Sequence, residues 1–171
     1  EWYMHNGNID FLRHHRAYIT GVIDRIDECV DEEGNENLAK QRFLDWPSSP
    51  NQPGVEAGCR ALLSWALKDA EVLCNLLEEQ EHAKKCRAIS KRLKKQIKQP
   101  NGLKQAAALM SIAGLMKPEQ ACSEVISVDG AKDFSTFYGY YMLQALAQAG
   151  EYQQALDIIR QYWGGMLDLR S

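Results

Sequence analysis

The chain has 171 residues, 45% of them hydrophobic and 25% charged, which fits one globular unit with a real core and excludes disordered, collagenous and disulfide-scaffold classes. Twenty Lys and Arg stand against 23 Asp and Glu, a net charge of −3 that gives no overall pull toward nucleic acid or an anionic membrane. The longest apolar runs are a few residues, far short of the roughly 20 a membrane span needs.

Five cysteines (Cys29, Cys59, Cys74, Cys86 and Cys122), with no CxxC pair, argue against both a full disulfide framework and a zinc site. Four of them fall on apolar helical stripes and read as small buried hydrophobes. The chain starts at Glu1 without an initiator Met and reads as an excised segment with no export leader in view.

Apolar residues recur at steps of three and four rather than two, so the expected fold is all-α. A first helix is expected from an N-cap at Asn8 to Val30, with Leu12, Ile19, Val22, Ile23, Ile26 and Val30 on one face and Gly34 closing it. The second, from Val55 to Glu79, aligns Cys59, Leu62, Leu63, Ala66, Ala70, Leu73, Cys74 and Leu77. A third, from Glu81 to Ile97, keeps the narrower stripe Ala83, Cys86, Ile89, Leu93 and Ile97 before Pro100, Asn101 and Gly102 break the chain. Two shorter helices follow, Leu103 to Leu115 and Pro118 to Val125, the latter opened by a proline whose missing N–H a first turn does not need. After a turn at Asp129 and Gly130, helices from Phe134 to Ala149 and from Glu151 to about Tyr162 form a hairpin joined at Gly150, and residues 163–171 read as a loop.

A turn followed by an acid opens helices at Glu81, Glu119 and Glu151, 38 and 32 residues apart. Such spacing points to stacked antiparallel hairpins, either an open solenoid of the tetratricopeptide kind or a closed α/α toroid. What separates the two is the stretch 31–58, a loop longer than solenoid turns and of the length that is usually functional. It carries Asp45 beside Trp46 in a Pro-rich setting. An indole face can stack on a sugar ring while a neighbouring carboxylate accepts its hydroxyls; equally, a Trp there can plug the core beneath its own loop.

Eight basic residues without an acid run from Lys84 to Lys98. They lack interleaved aromatics for stacking on bases and read as a solvated helix face rather than a nucleic-acid surface. His14 and His15 are adjacent, hence on different helix faces, and read as surface residues rather than metal ligands. Phe134, Phe137, Tyr138, Tyr140 and Tyr141 crowd one helix start, where a core stripe of Phe137 and Tyr141 leaves Tyr138 near the helix mouth, available to core or ligand. No phosphate loop, catalytic triad or convincing acid/base pair is visible, so the residues alone do not assemble an active site.

Three stretches nonetheless carry a likeness: Glu1-Trp2-Tyr3-Met4-His5-Asn6-Gly7-Asn8-Ile9-Asp10-Phe11, then Arg42-Phe43-Leu44-Asp45-Trp46-Pro47, then Gln148-Ala149-Gly150-Glu151-Tyr152 with Tyr162-Trp163-Gly164-Gly165-Met166-Leu167. On these the chain resembles the catalytic barrel of bacterial α-L-rhamnosidases, glycoside hydrolase family 78, among the six-hairpin glycosidases. The resemblance implies antiparallel hairpins forming part of an (α/α)6 toroid and hydrolysis of terminal α-L-rhamnosides with inversion, without a metal or other cofactor. It implies Trp46 as the aromatic wall of the sugar pocket, Asp45 as loop anchor or hydroxyl acceptor, and Tyr138 as a weaker pocket candidate. The family's general acid is expected upstream of Glu1 and its general base just after Leu169, so these 171 residues are expected to be the middle of a catalytic domain, inactive alone. An uncovered barrel edge then leads to self-association. The runner-up is a non-enzymatic helical-hairpin module that binds a protein partner.

Overall fold

A computed structural model describes residues 2–38 and 42–169. Glu1, residues 39–41 of the expected loop, and Arg170 and Ser171 of the expected terminal loop lie outside the described residues. Among the described residues the regular structure is helical, apart from one isolated antiparallel bridge between Val30 and Glu36, so the chain is all-α. The helices are α1 (Trp2–Asn6), α2 (Ile9–His14), α3 (Arg16–Glu28), α4 (Gln52–Leu76), α5 (Gln80–Leu93), α6 (Lys104–Ile112), α7 (Pro118–Ala121), α8 (Gly139–Gln148) and α9 (Tyr152–Asp168). A 3-10 turn, Lys94–Gln96, follows α5, and a π-helical turn, Cys122–Ile126, follows α7.

Several boundaries differ from expectation for identifiable reasons. Asn8 is the expected N-cap, its side chain accepting from the Phe11 N–H at 3.1 Å, but the first helix breaks at His15, whose φ of −95° and ψ of 7° interrupt the helical run. The Phe134–Ala149 helix starts only at Gly139, because residues 134 and 135 are irregular and 136–138 form a turn, behind the positive φ of Asp133. The expected terminal loop is instead helix through Asp168, Gly164 and Gly165 included. No proline stops it there, and a glycine costs a helix only about 1 kcal/mol.

The contacts divide the chain into two compact units, 2–38 with 63–96 and 42–62 with 97–169. In the first, α3, the second part of α4 and α5 enclose Ile23, Val30, Leu67, Cys74, Ala83, Cys86, Ile89 and Leu93. The α5 stripe is as read from the sequence except Ile97, which lies beyond the 3-10 turn and is exposed. On α4 the buried line is shifted from the expected one: Leu67 is fully buried, while Leu62 is exposed. Two members of the basic run of α5, Lys85 and Arg92, face acids of α3 and the turn after it, while Arg87 pairs with Glu71 of α4. Lys85 donates to Asp24 at 2.5 Å, and Arg92 pairs with both Asp27 and Glu32.

In the second unit, α6 is the central helix, buried from Lys104 to Ser111. Its alanines let neighbours approach closely, and α8 is its main partner. Lys104 is buried and held by the carbonyls of Val128 (2.6 Å) and Gly130 (2.7 Å), with the Phe134 ring 5.2 Å from its ammonium. Burial pushes its pKa down, so those carbonyls and the ring are what keep a charge tolerable there. The turn at Asp129 and Gly130, both at positive φ, is thereby fastened to α6.

Candidate functional site

The segment 42–51 docks on α4 and α6 of the second unit by one apolar peg. Leu44 is buried, and it fits because position 58 of α4 is glycine: a Cβ there would run into the Leu44 side chain and press within 3.3 Å of the Ala106 backbone of α6. On the next residue, Asp45, the backbone is tied into a tight turn. Its carbonyl accepts from the Ser48 hydroxyl at 2.7 Å and the Ser49 hydroxyl at 3.2 Å, and its N–H donates to Ser48 Oγ at 3.2 Å. Its carboxylate accepts from the side-chain amide of Gln105 at 3.5 Å. Asp45 is only 8% exposed, so this geometry is that of a loop anchor.

With the backbone fixed in this way, the neighbouring aromatic is presented to solvent. Trp46 is 81% exposed. The reading in which it plugs the core is therefore corrected: Leu44, two residues earlier, does the plugging. Phe43, half exposed, meets Trp46 edge-on with ring centroids 5.1 Å apart and planes at 80°. The two rings make an open aromatic corner on a rigid turn, a shape that offers a stacking face without a wall of charge.

Tyr138 lies elsewhere. It is 8% exposed, with its ring centroid 5.5 Å from both Phe137 and Tyr141, whereas Phe137 is exposed, the reverse of the expected core stripe. The reversal follows from the non-helical stretch 134–138, since helical spacing does not apply before Gly139. Burial raises the Tyr138 phenol to about 12, reinforced by negative charge at Cys59, Tyr141 and Asp45. Asp45 and Tyr138 are thus brought within electrostatic reach of each other, and Trp46 turns away from the interior that holds them.

Two residues that sequence reasoning did not single out complete the site. Phe43 could have been found from its i, i+3 spacing to Trp46. Gln105 gave no signal, being one polar residue inside an Ala-rich helix. It is fully buried, donates also to the Asp133 carbonyl at 3.3 Å, and its Oε1 has no hydrogen-bond partner among the described residues, as is true of the buried Ser135 Oγ.

In the first unit, a mainly apolar groove of about 450 Å³ is lined by Tyr3 and Met4 of α1 and by Trp65, Asp69, Val72 and Leu76 of α4. Among the described residues no group of three or more His, Cys, Asp or Glu is placed to hold a metal ion, and no helix is long and apolar enough to cross a membrane. In comparisons with known proteins, no family model, no curated protein and no solved structure matches this chain.

Proposed function

We propose that this chain is part of the catalytic domain of an α-L-rhamnosidase, built of helical hairpins that belong to an (α/α)6 toroid. In this reading the whole domain hydrolyses terminal α-L-rhamnosides with inversion: a carboxylic acid protonates the leaving oxygen and a carboxylate activates water from the opposite face. No cofactor takes part. The carboxylates are contributed from outside these residues, and the isolated chain does not turn over substrate. The chain's own share is the sugar-facing wall.

The observation that carries the reading is the Phe43–Trp46 corner, exposed on a turn that Leu44, Asp45 and Ser48 fix in place. A deoxysugar such as rhamnose has an apolar patch at its methyl carbon and ring C–H groups, which suits an indole face, while Asp45 keeps the turn in register rather than meeting the sugar directly. Tyr138, buried and within electrostatic reach of Asp45, is a weaker member of the same pocket. The test is quenching of tryptophan fluorescence by L-rhamnose, in the native chain and in Trp46→Phe. Quenching that disappears in the variant supports the wall; identical responses in both proteins overturn it.

A second reading, a non-enzymatic helical module that holds a peptide, is favoured by the groove between α1 and α4. Its Trp65, Val72 and Leu76 lie at steps of 7 and 4 along one helix face, the spacing that receives apolar anchors of a bound segment. Under that reading Trp65→Ala abolishes peptide capture and Trp46→Phe leaves it unchanged.

A further inference from the structure

One turn of α4 sets a carboxylate beside an indole. Trp65 and Asp69 are four residues apart, so their side chains leave the same face of the helix with Cβ atoms about 6 Å apart. Both line the groove of about 450 Å³ between α1 and the second part of α4, within the first unit. Tyr3 of α1 adds a second aromatic ring, and Val72 and Leu76 continue the α4 face as an apolar floor. Asp69 is the only carboxylate in the lining. Other acids of this unit have cationic partners, as Glu71 has Arg87 and Asp24 has Lys85. Asp69 is exposed and has no ion pair or hydrogen bond among the described residues. The one basic group in the lining, His5, is exposed and does not pair with it.

We propose that this groove binds a small organic cation, an ammonium group carried on an aromatic or aliphatic body. The ammonium meets the Asp69 carboxylate and the neighbouring Trp65 ring, while the body lies over Val72 and Leu76. Size and lining suit such a ligand: small-molecule pockets run from roughly 300 to 1,000 Å³ and are mostly apolar and aromatic, with a few polar groups that fix orientation. Charge selects among ligands of that size. A carboxylate attracts a cation and repels an anion of the same shape. The negative face of an indole adds to the attraction for a cation. A neutral molecule of the same shape gains only the apolar contact. The proposal rests on neither reading above, since its occupant is not a peptide and its groove is built from other elements than the Phe43–Trp46 corner.

Three probes of nearly one shape test it: 2-phenylethylammonium, 2-phenylethanol and 3-phenylpropionate, each titrated into the full isotope-labelled chain. The readout is the nuclear magnetic resonance signal of the Trp65 indole N–H, assigned by its loss in Trp65→Phe. The ammonium is expected to shift this signal and to bind about three- to tenfold more tightly than the alcohol, with the carboxylate weakest. Asp69→Asn should bring the ammonium to the affinity of the alcohol and leave the alcohol unchanged. Val72→Lys, which sets a cation in the groove, should abolish ammonium binding. Asp69 and Val72 are both exposed, so helicity by circular dichroism stays at the native level in these variants. Equal affinity for all three probes overturns the proposal, as does an ammonium whose binding is indifferent to Asp69→Asn. So does a response confined to the Trp46 indole, or none up to the solubility of the probes. Capture of an apolar peptide by a chain that ignores the ammonium would overturn this proposal and leave the peptide reading standing. Quenching by L-rhamnose is expected to be the same in Asp69→Asn and Val72→Lys as in the native chain.

Discussion

Phe43 and Trp46 stand edge-on, centroids 5.1 Å apart, and yet Leu44 between them is buried. Outward rings around an inward peg mean that the loop's stability and its surface chemistry reside on different side chains. Trp46→Ala should therefore change the unfolding free energy by no more than about 0.5 kcal/mol, as expected for an exposed site. Leu44→Ala should cost about 2 to 5 kcal/mol. Urea denaturation of the two variants reads the contrast, and a large loss for Trp46→Ala would contradict the exposed placement.

The turn after α3 is locked to the end of α5 through Gly34. Its φ is +85°, and a Cβ there would collide with the backbone carbonyl of Arg92. Both the left-handed backbone and the close approach exclude a larger residue. Gly34→Ala should lower stability by more than about 1 kcal/mol. Because Arg92 also binds Asp27 and Glu32, the first unit should loosen as a whole; native-state hydrogen exchange in α5 is the measurement.

Tyr138 should titrate late. Its phenol stands near 12 in the folded chain against an ordinary 10.0. The folded state therefore holds this proton more tightly than the unfolded state does. Its contribution is fully present below pH 10 and is lost as pH rises from 10 through 12, amounting to roughly 2 to 3 kcal/mol at the upper end. Ultraviolet titration near the phenolate band, native minus Tyr138→Phe, should show a single step close to 12. A step at the ordinary value would mean that the ring is in contact with water.

The thiols should divide by burial. Cys74 and Cys86 are fully buried, and desolvation pushes Cys86 to about 12 and Cys122 to about 11. All five cysteines are free. A disulfide reagent at mildly alkaline pH should label only Cys29 and Cys59, which are partly exposed, until denaturant is added, since reactivity requires thiolate and access. Mass spectrometry of the labelled peptides identifies the sites, and rapid native labelling of Cys74 or Cys86 would contradict the packing of the first unit.

Helix identity, and with it the all-α class, was legible in the sequence because three-and-four periodicity is a property of neighbouring residues. So were local stops and starts whose chemistry is self-contained: the Asn8 cap, the turn at Asp129 and Gly130, and Gly150, which closes α8 at φ +80°. What only the tertiary structure decided is which side of each pattern is used. Trp46 and Leu44 are both large apolar residues in one loop, and the space opened by Gly58, far along the chain, selects the leucine as the peg. Phe137 and Tyr138 exchange burial because the segment before Gly139 turns instead of coiling, in a region fastened by Lys104 and Gln105 from another helix. A helical stripe shows only that a face is apolar. Whether that face is covered, as on α5, or left open, as on α9, depends on neighbours distant in sequence, because burial is a property of the assembled surface and not of the segment.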